Sequence, residues 1–440
     1  MVVTKNLSYR VHASGPLRGT VRVPGDKSIS HRSIMLASIA EGNSQIDGFL
    51  SGEDSLATLQ AFRAMGVPIG IQDNGRVAVE GVGLHGLRAA GKPLDLGNSG
   101  TCMRLLAGLL AGQAFDSELV GDASLMSRPM QRIVEPLRAM GAHIESTVDG
   151  TAPLRIRGGA GLRGIDYLMP VASAQVKSCL LLAGLYAAGK TCITERQVTR
   201  DHTERMLAGL GYPVQHTELR TCVSAGGRLQ GKTFVVPADL SSAAFFMVGA
   251  SIMPDSRLLL QNVGVNPSRT GAIHILRQMG ADIRIQNERD VAGEPVADIE
   301  VHYSPLHGIA IEPEHVSLAI DEFPILFIAA ACAEGHTVLT QAAELKVKES
   351  DRLESMAQGL RNLGIEASAS DDGMHIVGGT FRGGTVDSQG DHRIAMAFSI
   401  AGLRSAEAVE IRDCQNVTTS FPGFVETARA AGLHIEAFEV

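Results

Sequence analysis

Met140-Gly141-Ala142-His143-Ile144 is one of six short phrases that decide the architecture of this 440-residue chain. Each phrase has a hydrophobic residue, a glycine, two variable residues and then an apolar residue, which is typical of a helix that ends at a glycine and leads into a strand. The phrase returns at 65–69, 210–214, 279–283, 363–367 and, in weaker form, 431–435. The spacing of roughly 70 residues exceeds the ~20–50 residues of solenoid repeats. The sequence therefore predicts six copies of one α/β unit.

A second feature of each copy is a helix of small and apolar residues that lies before the glycine phrase. Helices that are apolar on all sides are buried, so each copy is predicted to pack one buried and one amphipathic helix on strands. The predicted buried helices are 34–42, 105–112, 179–189, 243–254, 325–335 and 394–404.

The length of the chain and the repeat together predict two domains. We place one discontinuous domain at 1–22 and 238–440 and an inserted domain at 23–237, with three copies of the unit in each. The last copy lacks a strand, and we expect segment 8–21 to supply it.

The composition is that of a globular protein, with 45% hydrophobic and 20% charged residues. A net charge of −8 argues against nucleic acid or an anionic membrane as a partner. No run of apolar residues is long enough to span a bilayer and the first residues do not resemble a targeting signal, so we expect a cytoplasmic protein. The six cysteines show neither CxxC nor zinc spacing, which favours free thiols and no metal site.

Polar residues gather at the start of each predicted buried helix. A helix N-terminus presents unpaired N–H groups and a partial positive charge, so several of them aimed at one place would bind an anion. The alternative is that these residues are ordinary N-caps. The recurrence, with Lys, Arg and Gln added in several copies, favours the anion site. The segments are Lys27-Ser28-Ile29-Ser30-His31-Arg32, Asn98-Ser99-Gly100-Thr101, Ser173-Ala174-Gln175, Asp239-Leu240-Ser241-Ser242, Asp321-Glu322 and Asp391-His392-Arg393.

The first of these segments follows a Pro24-Gly25 turn, and Ser28 or Ser30 is predicted to cap the helix. Lys27 and Arg32 are cations at a helix start, where they oppose the macrodipole at a cost of up to ~1 kcal/mol. An anion between them would remove that conflict. The alternative is a solvated basic turn.

A second charged segment, 345–352, alternates like a strand and then begins a helix. Lys348 and Glu349 are predicted to lie at the strand end and Arg352 in the first helical turn, a usual ligand position in α/β proteins. The alternative is a surface ion pair between Glu349 and Arg352, worth at most ~1 kcal/mol.

Further candidates are Arg128 and Arg393, whose planar guanidinium groups suit carboxylates and phosphates. Asp321 precedes Pro324, and as an N-cap acid it needs no functional explanation. Two stretches, 184–191 and 226–233, match the P-loop pattern by letter. We interpret both as glycine-rich turns, because neither runs from a strand into a helix.

The phrases together resemble the 5-enolpyruvylshikimate-3-phosphate synthase family of enolpyruvyl transferases over essentially the whole chain, in its class II form. The phrases that carry the resemblance occur in family order: 25–32, 97–101, 128–130, 173–178, 347–352, 391–396 and 420–422. The resemblance implies two domains, each of three βαβαββ units, with the active site in the cleft between them. It implies the joining of shikimate 3-phosphate to phosphoenolpyruvate with release of phosphate, by a monomer that needs no cofactor.

The resemblance also implies residue roles. Shikimate 3-phosphate would be bound by Lys27, Ser28, Arg32, Ser173, Ala174, Gln175, Asp321 and Lys348. Phosphoenolpyruvate would be bound by Lys27, Gly100, Arg128, Gln175, Arg352 and Arg393. Asp321 would accept the proton of the attacking 5-hydroxyl, Glu349 would handle the methylene proton, and Lys27 would assist as a proton donor.

Three positions depart from the pattern. Relatives often have lysine where Thr419 stands, class I relatives have asparagine in place of Glu344, and class II relatives can have alanine in place of Gly100. Because Gly100 leaves more room beside phosphoenolpyruvate, we expect glyphosate to compete with that substrate. The alternative functions are the sister transferase that acts on UDP-N-acetylglucosamine, whose loop cysteine is missing from 121–128, and a non-catalytic phosphometabolite sensor.

Overall fold

A computed structural model describes residues 7–439 of the chain, so residues 1–6 and Val440 of the predicted discontinuous domain lie outside it. The described residues divide into two compact units. Unit 1 contains the chain up to Pro24, Pro237–Asp290 and everything from Pro295 onward, and unit 2 contains Gly25–Val236 and Val291–Glu294. The predicted discontinuous domain includes residues 291–294, which link two strands of a unit 1 sheet. These residues group with unit 2, where Glu294 Oε1 lies 2.8 Å from Nδ1 of the buried His202.

Unit 2 contains three sheets of one design, in which the first two strands are parallel and the others antiparallel. In spatial order the first sheet is β14 (Thr233–Val235), β3 (Glu41–Asp47), β5 (Val77–Val82) and β4 (Ile69–Ile71). The second is β6 (Leu94–Asp95), β7 (Ser117–Val120), β9 (Leu154–Arg157) and β8 (His143–Glu145). The third is β10 (Asp166–Leu168), β11 (Lys190–Thr194), β13 (Arg220–Ser224) and β12 (Gln215–His216).

Unit 1 also forms three sheets from its described residues. The first is β2 (Arg18–Val21), β15 (Arg257–Gly264), β17 (Glu294–His302) and β16 (Asp282–Val291). The second is β18 (His336–Leu339), β20 (Met374–Val377) and β19 (Glu366–Ala369), and its outer strand is reduced to an isolated parallel bridge between Ala310 and Val338. The third is β21 (Gly384–Asp387), β22 (Val409–Arg412), β1 (Leu7–His12) and β23 (His434–Glu439).

The N-terminal segment does complete the last copy of the unit, as predicted. Strand β1 pairs antiparallel with β22 and with β23, and β2 pairs in parallel with β15 of a different sheet. Strand β14 has the equivalent role in unit 2. It lies near the end of the segment Gly25–Val236 and pairs in parallel with β3, near the beginning of that segment, which completes the first sheet.

Six buried helices lie in the positions that the small-residue stretches predict, but each begins earlier in the chain. They are α1 (Lys27–Ser38), α3 (Gly100–Ala111), α6 (Ala174–Gly184), α8 (Leu240–Ile252), α11 (Phe323–Ala331) and α13 (His392–Ala401). Small residues allow close packing: a Cβ on Gly108 of α3 would lie 2.0 Å from the carbonyl oxygen of Cys179 in α6. The polar residues predicted to precede these helices therefore lie in their caps and first turns.

A second set of helices ends at the six glycine phrases. These are α2 (Glu53–Ala64), α5 (Gln131–Ala139), α7 (His202–Gly209), α9 (Gly271–Gln278), α12 (Arg352–Asn362) and α14 (Phe424–Ala431), and the short α4 (Ala123–Ser127) and α10 (Pro313–Val316) lie outside the repeat. Every phrase glycine has a positive φ, from 86° at Gly211 and Gly364 to 113° at Gly432, which an L side chain rarely adopts. Each phrase is followed by a strand, so this prediction is confirmed.

An arginine repeats with the glycine phrase, a feature that the sequence analysis missed. In the last turns of α2, α5, α9, α12 and α14 an arginine donates to the backbone carbonyl of the residue six positions later, which lies in the strand that follows the helix. A cation at a helix C-terminus also complements the macrodipole. The contact ties each of these five helices to the strand that follows it. The arginines are Arg63, Arg138, Arg277, Arg361 and Arg429.

The expectation of free thiols is wrong for two of the six cysteines. Cys192 of β11 and Cys222 of β13 are directly opposite in an antiparallel pair and form a disulfide. Their separation of 30 residues matches no motif, so only strand register brings them together. Cys102, Cys179, Cys332 and Cys414 are free.

Within residues 7–439 the structure has no helix that combines the length and the apolar character needed to cross a membrane.

Candidate active site

The start of α1 shows how unit 2 fixes its first polar segment. The N-cap is Asp26, whose carboxylate accepts a hydrogen bond from the N–H of Ile29 at 2.8 Å. The prediction that Ser28 or Ser30 caps this helix is therefore wrong. The hydroxyl of Ser30 instead accepts from the N–H of Leu50, because an aspartate one residue before the helix already satisfies the end.

Arg32 lies in the first turns of α1 and is buried. Its Nε donates to the Thr203 hydroxyl at 2.7 Å, one terminal nitrogen donates to the Ser178 hydroxyl at 2.8 Å, and the other donates to the Ser28 carbonyl at 3.0 Å. Burial lowers the pKa of Arg32 to about 10, which still leaves it charged at neutral pH. Arg32 is thus a rigid cation held by neutral oxygens.

Lys27 is the first residue of α1 and forms an ion pair with the buried Asp54. Behind it, the His31 ring contacts the Thr58 hydroxyl at 2.7 Å and the Ser99 hydroxyl at 3.4 Å. Burial, reinforced by the charges of Lys27 and Arg32, holds the pKa of His31 well below its ordinary value. His31 therefore acts as a neutral hydrogen-bonding link between α2 and the start of α3.

Gly100 begins α3, and Ser99 caps it by accepting from the N–H of Cys102. A Cβ on Gly100 would lie 3.2 Å from a terminal nitrogen of Arg104 and 3.3 Å from one of Arg128. Arg128 donates to the side-chain oxygen of Asn98 at 2.6 Å and to its carbonyl at 3.2 Å. Two guanidinium groups thus flank the start of α3, where the absence of a side chain leaves room.

Arg104 is a site residue that the sequence analysis missed. It donates to Oε1 of Gln175 at 2.7 Å and to the Pro129 carbonyl at 3.2 Å, while Gln175 donates to the Thr101 hydroxyl at 3.0 Å. The available signal was a single arginine within the otherwise apolar 102–111. A charge inside a buried helix requires a partner.

The starts of the three buried helices of unit 2 are tied together in pairs. His31 of α1 contacts Ser99, the cap of α3; Arg32 of α1 bonds Ser178 of α6; and Gln175 of α6 bonds Arg104 of α3. Ser173 caps α6, so Ala174 and Gln175 are its first residues. We call Lys27, Arg32, Arg104, Arg128 and Gln175 the cationic cluster. It combines several helix N-termini with fixed positive charge, which suits an anion.

Unit 1 brings together the other predicted residues around Asp321. One carboxylate oxygen of Asp321 lies 3.3 Å from Lys348 Nζ and 3.4 Å from a terminal nitrogen of Arg352. The side chains of Asp321 and Lys348 are 16% and 20% exposed, so a ligand can reach both. This is a carboxylate beside two cations, on a partly open surface.

Arg352 is completely buried and is surrounded by acids. Its Nε lies 2.8 Å from Asp391 and one terminal nitrogen lies 2.6 Å from Glu349. Burial alone would lower the pKa of Arg352, but the carboxylates of Asp391, Glu349 and Asp321 outweigh it and raise the pKa above its ordinary value. Arg352 is the permanent charge that organises this site.

Arg393 completes the arrangement, and its side chain remains 12% exposed. One terminal nitrogen donates to the backbone carbonyl of Asp321 at 2.8 Å. Its own N–H donates to the carboxylate of Asp391, which caps α13. We call Asp321, Lys348, Glu349, Arg352, Asp391 and Arg393 the acid–base cluster.

Two local predictions in unit 1 are wrong. Residues Ala343–Val347 form a 3₁₀ helix rather than a strand, and the preceding strand β18 already ends at Leu339. Leu345 is buried while Val347 is exposed, a pattern that a strand and a short helix both produce. The N-cap of α11 is Glu322 rather than Asp321, which leaves the Asp321 carboxylate available for the cluster.

The departures from the family pattern have structural counterparts. Thr419 is buried and its hydroxyl donates to the Asn416 carbonyl at 2.7 Å, so this position offers no cation. Glu344 Oε1 lies 4.0 Å from Lys348 Nζ, so the glutamate adds a negative charge beside the cluster.

Motifs for other ligands do not coincide with either cluster. The P-loop match at 184–191 runs from the end of α6 into β11, and the match at 226–233 lies between β13 and β14, as predicted. Among the described residues, potential metal ligands gather only at Glu312, Glu314 and His315, none of which belongs to a cluster.

An α/β protein with one anion-binding cluster and one acid–base cluster is a candidate enzyme for acidic metabolites, and comparison with known proteins gives its family. The sequence pattern of the family described as EPSP synthase (3-phosphoshikimate 1-carboxyvinyltransferase) matches residues 11–428. The 3-phosphoshikimate 1-carboxyvinyltransferase of Methylococcus capsulatus is 65% identical over 98% of this chain and 99% of its own. That of Alkalilimnicola ehrlichii is 64% identical over 97% of this chain and 96% of its own.

A solved structure agrees with the sequence comparisons. The EPSP synthase of Acinetobacter baumannii superposes with a TM-score of 0.87, at 54% identity over 99% of this chain and all of that one. The chain belongs to the EPSP synthase family. The predicted family and the α/β fold class are confirmed.

Proposed function

We propose that this chain transfers the enolpyruvyl group of phosphoenolpyruvate to the 5-hydroxyl of shikimate 3-phosphate and releases phosphate. This is the step of the shikimate pathway, toward chorismate and the aromatic amino acids, for which its relatives are named. Both substrates carry phosphate and carboxylate groups. The observation that carries the proposal is that one chain holds both a fixed cationic cluster, in unit 2, and an acid–base cluster around Asp321, in unit 1.

The cationic cluster binds the phosphate of shikimate 3-phosphate. Lys27, Ser28 and Arg32 belong to the start of α1, where N–H groups and the macrodipole add to their charge. Dipoles contribute only ~0.3–1 kcal/mol each, whereas micromolar affinity needs about 8 kcal/mol, so the side chains supply most of the binding. Ser173, Ala174 and Gln175 at the start of α6, together with Lys348 and Asp321, complete the contacts.

Phosphoenolpyruvate takes the positions beside Gly100, Arg128 and Gln175, with Lys27, Arg352 and Arg393 as further cations. Arg128 and Arg393 already donate to neutral oxygens, and exchanging these for the oxygens of an anion strengthens the bonds. Arg352 contributes through its terminal nitrogen, which is only 3.4 Å from Asp321 and can turn to the substrate.

The chemistry uses Asp321 and Glu349, two partly exposed acids. Asp321 takes the proton of the 5-hydroxyl while the oxygen bonds to C2 of phosphoenolpyruvate. C3 receives a proton from Glu349, with Lys27 assisting, and a tetrahedral intermediate results. Glu349 then recovers a proton from C3 as the bond from C2 to the phosphate oxygen breaks. The proton that Asp321 took from the 5-hydroxyl leaves with the phosphate, which restores the base. Matched acid and base roles of this kind contribute about 10²–10⁴-fold to a rate.

The two clusters belong to different units, so the proposal requires both units to engage one pair of substrates and exclude water from them. It requires no second copy of the chain and no cofactor, since each role is filled by a side chain of one chain.

The deciding experiment measures phosphate release from phosphoenolpyruvate with shikimate 3-phosphate as acceptor. UDP-N-acetylglucosamine serves as the competing acceptor. Release with shikimate 3-phosphate alone supports the proposal. Release with the nucleotide sugar would assign the sister activity, and tight binding of both substrates without release would indicate a sensor.

A further inference from the structure

Glu322 is a buried acid next to Asp321 that the proposed chemistry does not use. It occupies the N-cap position of α11, yet its side chain makes no capping hydrogen bond. Its side chain is 0% exposed. A buried carboxylate has a large desolvation cost, and helix capping does not account for one here.

The carboxylate of Glu322 lies between two guanidinium groups. Its Oε1 is 3.9 Å from a terminal nitrogen of Arg269 and 3.9 Å from one of Arg393. The same oxygen accepts a hydrogen bond from the Ser241 hydroxyl. Within residues 7–439, Oε2 accepts no hydrogen bond, so the contacts of this acid are directed at the two arginines and Ser241.

Arg269 anchors the acid from the side away from Asp321. It is buried, donates to the Ser241 hydroxyl at 2.8 Å, and donates to the carboxylate of Asp239 at 3.1 Å. Asp239 in turn caps α8. Glu322 is thus connected to the start of α8, a second buried helix, through Ser241 and Arg269.

Arg393 is the other neighbour, and it belongs to the acid–base cluster. The terminal nitrogen that faces Glu322 is the one that donates to the Asp321 carbonyl. One guanidinium group therefore contacts two consecutive residues, the backbone of the base and the side chain of Glu322. If the charge of Glu322 is lost, the bond to the Asp321 carbonyl is the remaining polar contact of this guanidinium group within residues 7–439.

We propose that Glu322 is a positioning residue, which with Arg269 as its buried counter-charge orients Arg393 toward phosphoenolpyruvate. The inference rests on the proposed function, since it assigns Arg393 to that substrate. Glu322 touches no reacting atom and takes no proton. It acts by fixing a cation that the substrate uses.

The test is a kinetic comparison of wild type, Glu322→Gln, Arg393→Gln and the double variant, with thermal unfolding of each. Glutamine keeps the shape and the Ser241 contact but removes the charge. We expect the KM for phosphoenolpyruvate to rise about 10–100-fold in Glu322→Gln. This is the range expected when the hydrogen bond from Arg393 to the charged substrate is lost. The KM for shikimate 3-phosphate and kcat should change less than about threefold.

Coupling separates positioning from general destabilisation. In the Arg393→Gln background, adding Glu322→Gln should raise the KM for phosphoenolpyruvate no further, because the group it orients is gone. Glu322→Asp, which keeps the charge, should recover part of the affinity. Glu354→Gln is the matched control, since Glu354 is an exposed acid of the same unit that pairs with Arg361.

Each outcome bears on one claim. An unchanged KM in Glu322→Gln, an equal rise in both backgrounds, or a lower Tm with unaltered KM would overturn the inference while leaving the function intact. A wild-type protein that releases no phosphate with shikimate 3-phosphate would overturn both.

Discussion

Arg32 and Arg128 of unit 2 have neutral hydrogen-bond partners, whereas Arg352 of unit 1 has charged ones. In unit 2, Arg32 and Arg128 donate to hydroxyl, amide and carbonyl oxygens. In unit 1, Arg352 is surrounded by the carboxylates of Asp391, Glu349 and Asp321. Neutral partners fix a guanidinium group without cancelling its charge, so the first arrangement attracts anions. Carboxylate partners offset the positive charge of Arg352, and the guanidinium group in turn holds the three carboxylates in defined positions.

The largest expected effect comes from removing the base. Asp321→Ala should lower kcat by ~10²–10⁴-fold, because the 5-hydroxyl loses its proton acceptor. Calorimetric titration should show that shikimate 3-phosphate still binds, since the cationic cluster is intact. Asp371→Ala, at an exposed acid of unit 1, is the control. Full turnover in Asp321→Ala would remove this residue from the mechanism.

The second prediction compares the two kinds of arginine directly. Arg352→Gln leaves three carboxylates without their buried counter-charge and should lower the free energy of unfolding by ~3–5 kcal/mol. Arg32→Gln leaves only neutral partners and should cost ~1–3 kcal/mol. Urea unfolding of both variants measures the difference, and equal costs would show that the partners do not distinguish the clusters.

Gly100 gives a smaller effect, on ligand size. In Gly100→Ala the new Cβ meets nitrogens of Arg104 and Arg128 at 3.2 and 3.3 Å, and overpacking of this kind costs ~1–3 kcal/mol. We expect glyphosate to compete with phosphoenolpyruvate in the wild type. The inhibition constant for glyphosate should rise more in the variant than the KM for phosphoenolpyruvate, because glyphosate is the longer molecule.

Inhibition assays at several phosphoenolpyruvate concentrations test this pair of statements. A wild type that is insensitive to millimolar glyphosate would refute the first, and a parallel change in both constants would refute the second. Gly161→Ala is the control for the substitution itself, since a Cβ on Gly161 of unit 2 would meet no atom within 4 Å and this glycine has no positive φ.

The smallest effect concerns pH and follows from the burial of His31, reinforced by the charges of Lys27 and Arg32. The folded state keeps His31 neutral, with a pKa well below normal, whereas the unfolded chain takes up a proton near pH 6.5. Above about pH 6.5 His31 is neutral in both states and does not oppose folding. As the pH falls below that value, protonation of His31 in the unfolded chain lowers the free energy of unfolding. The slope reaches at most ~1.4 kcal/mol per pH unit.

Unfolding free energies measured from pH 7.5 to 4.5 reveal this dependence as a difference between variants. His31→Gln should flatten the slope, and His143→Gln, at an exposed histidine of unit 2, should not. An unchanged slope in His31→Gln would mean that other groups govern the acid sensitivity.

Much of the fold follows from local patterns. Glycine is required at a positive φ after each amphipathic helix, so Gly66 and its five counterparts mark the repeat in the sequence. Asp391 is a short polar residue at the end of a loop, and its capping role is equally local. Features of this kind depend on residues that are neighbours in the chain, which is why the sequence predicts them.

Other features depend on distant residues and were missed. The bond between Arg104 and Gln175 and the pairing of Cys192 with Cys222 arise from helix packing and strand register. The strand predicted for 345–348 failed because alternation over four residues does not distinguish a strand from a 3₁₀ turn. The roles of individual site residues came from the family resemblance, and the structure shows only which of them lie together.

The order in which the chain emerges from the ribosome has a consequence for strand β1. Its partners β22 and β23 are synthesised about 400 residues later, whereas the main segment of unit 2, Gly25–Val236, is complete well before them. Because domains tend to fold as units during synthesis, unit 2 should mature first. Strand β1 must then wait, with its edges unpaired, until β22 and β23 have been synthesised.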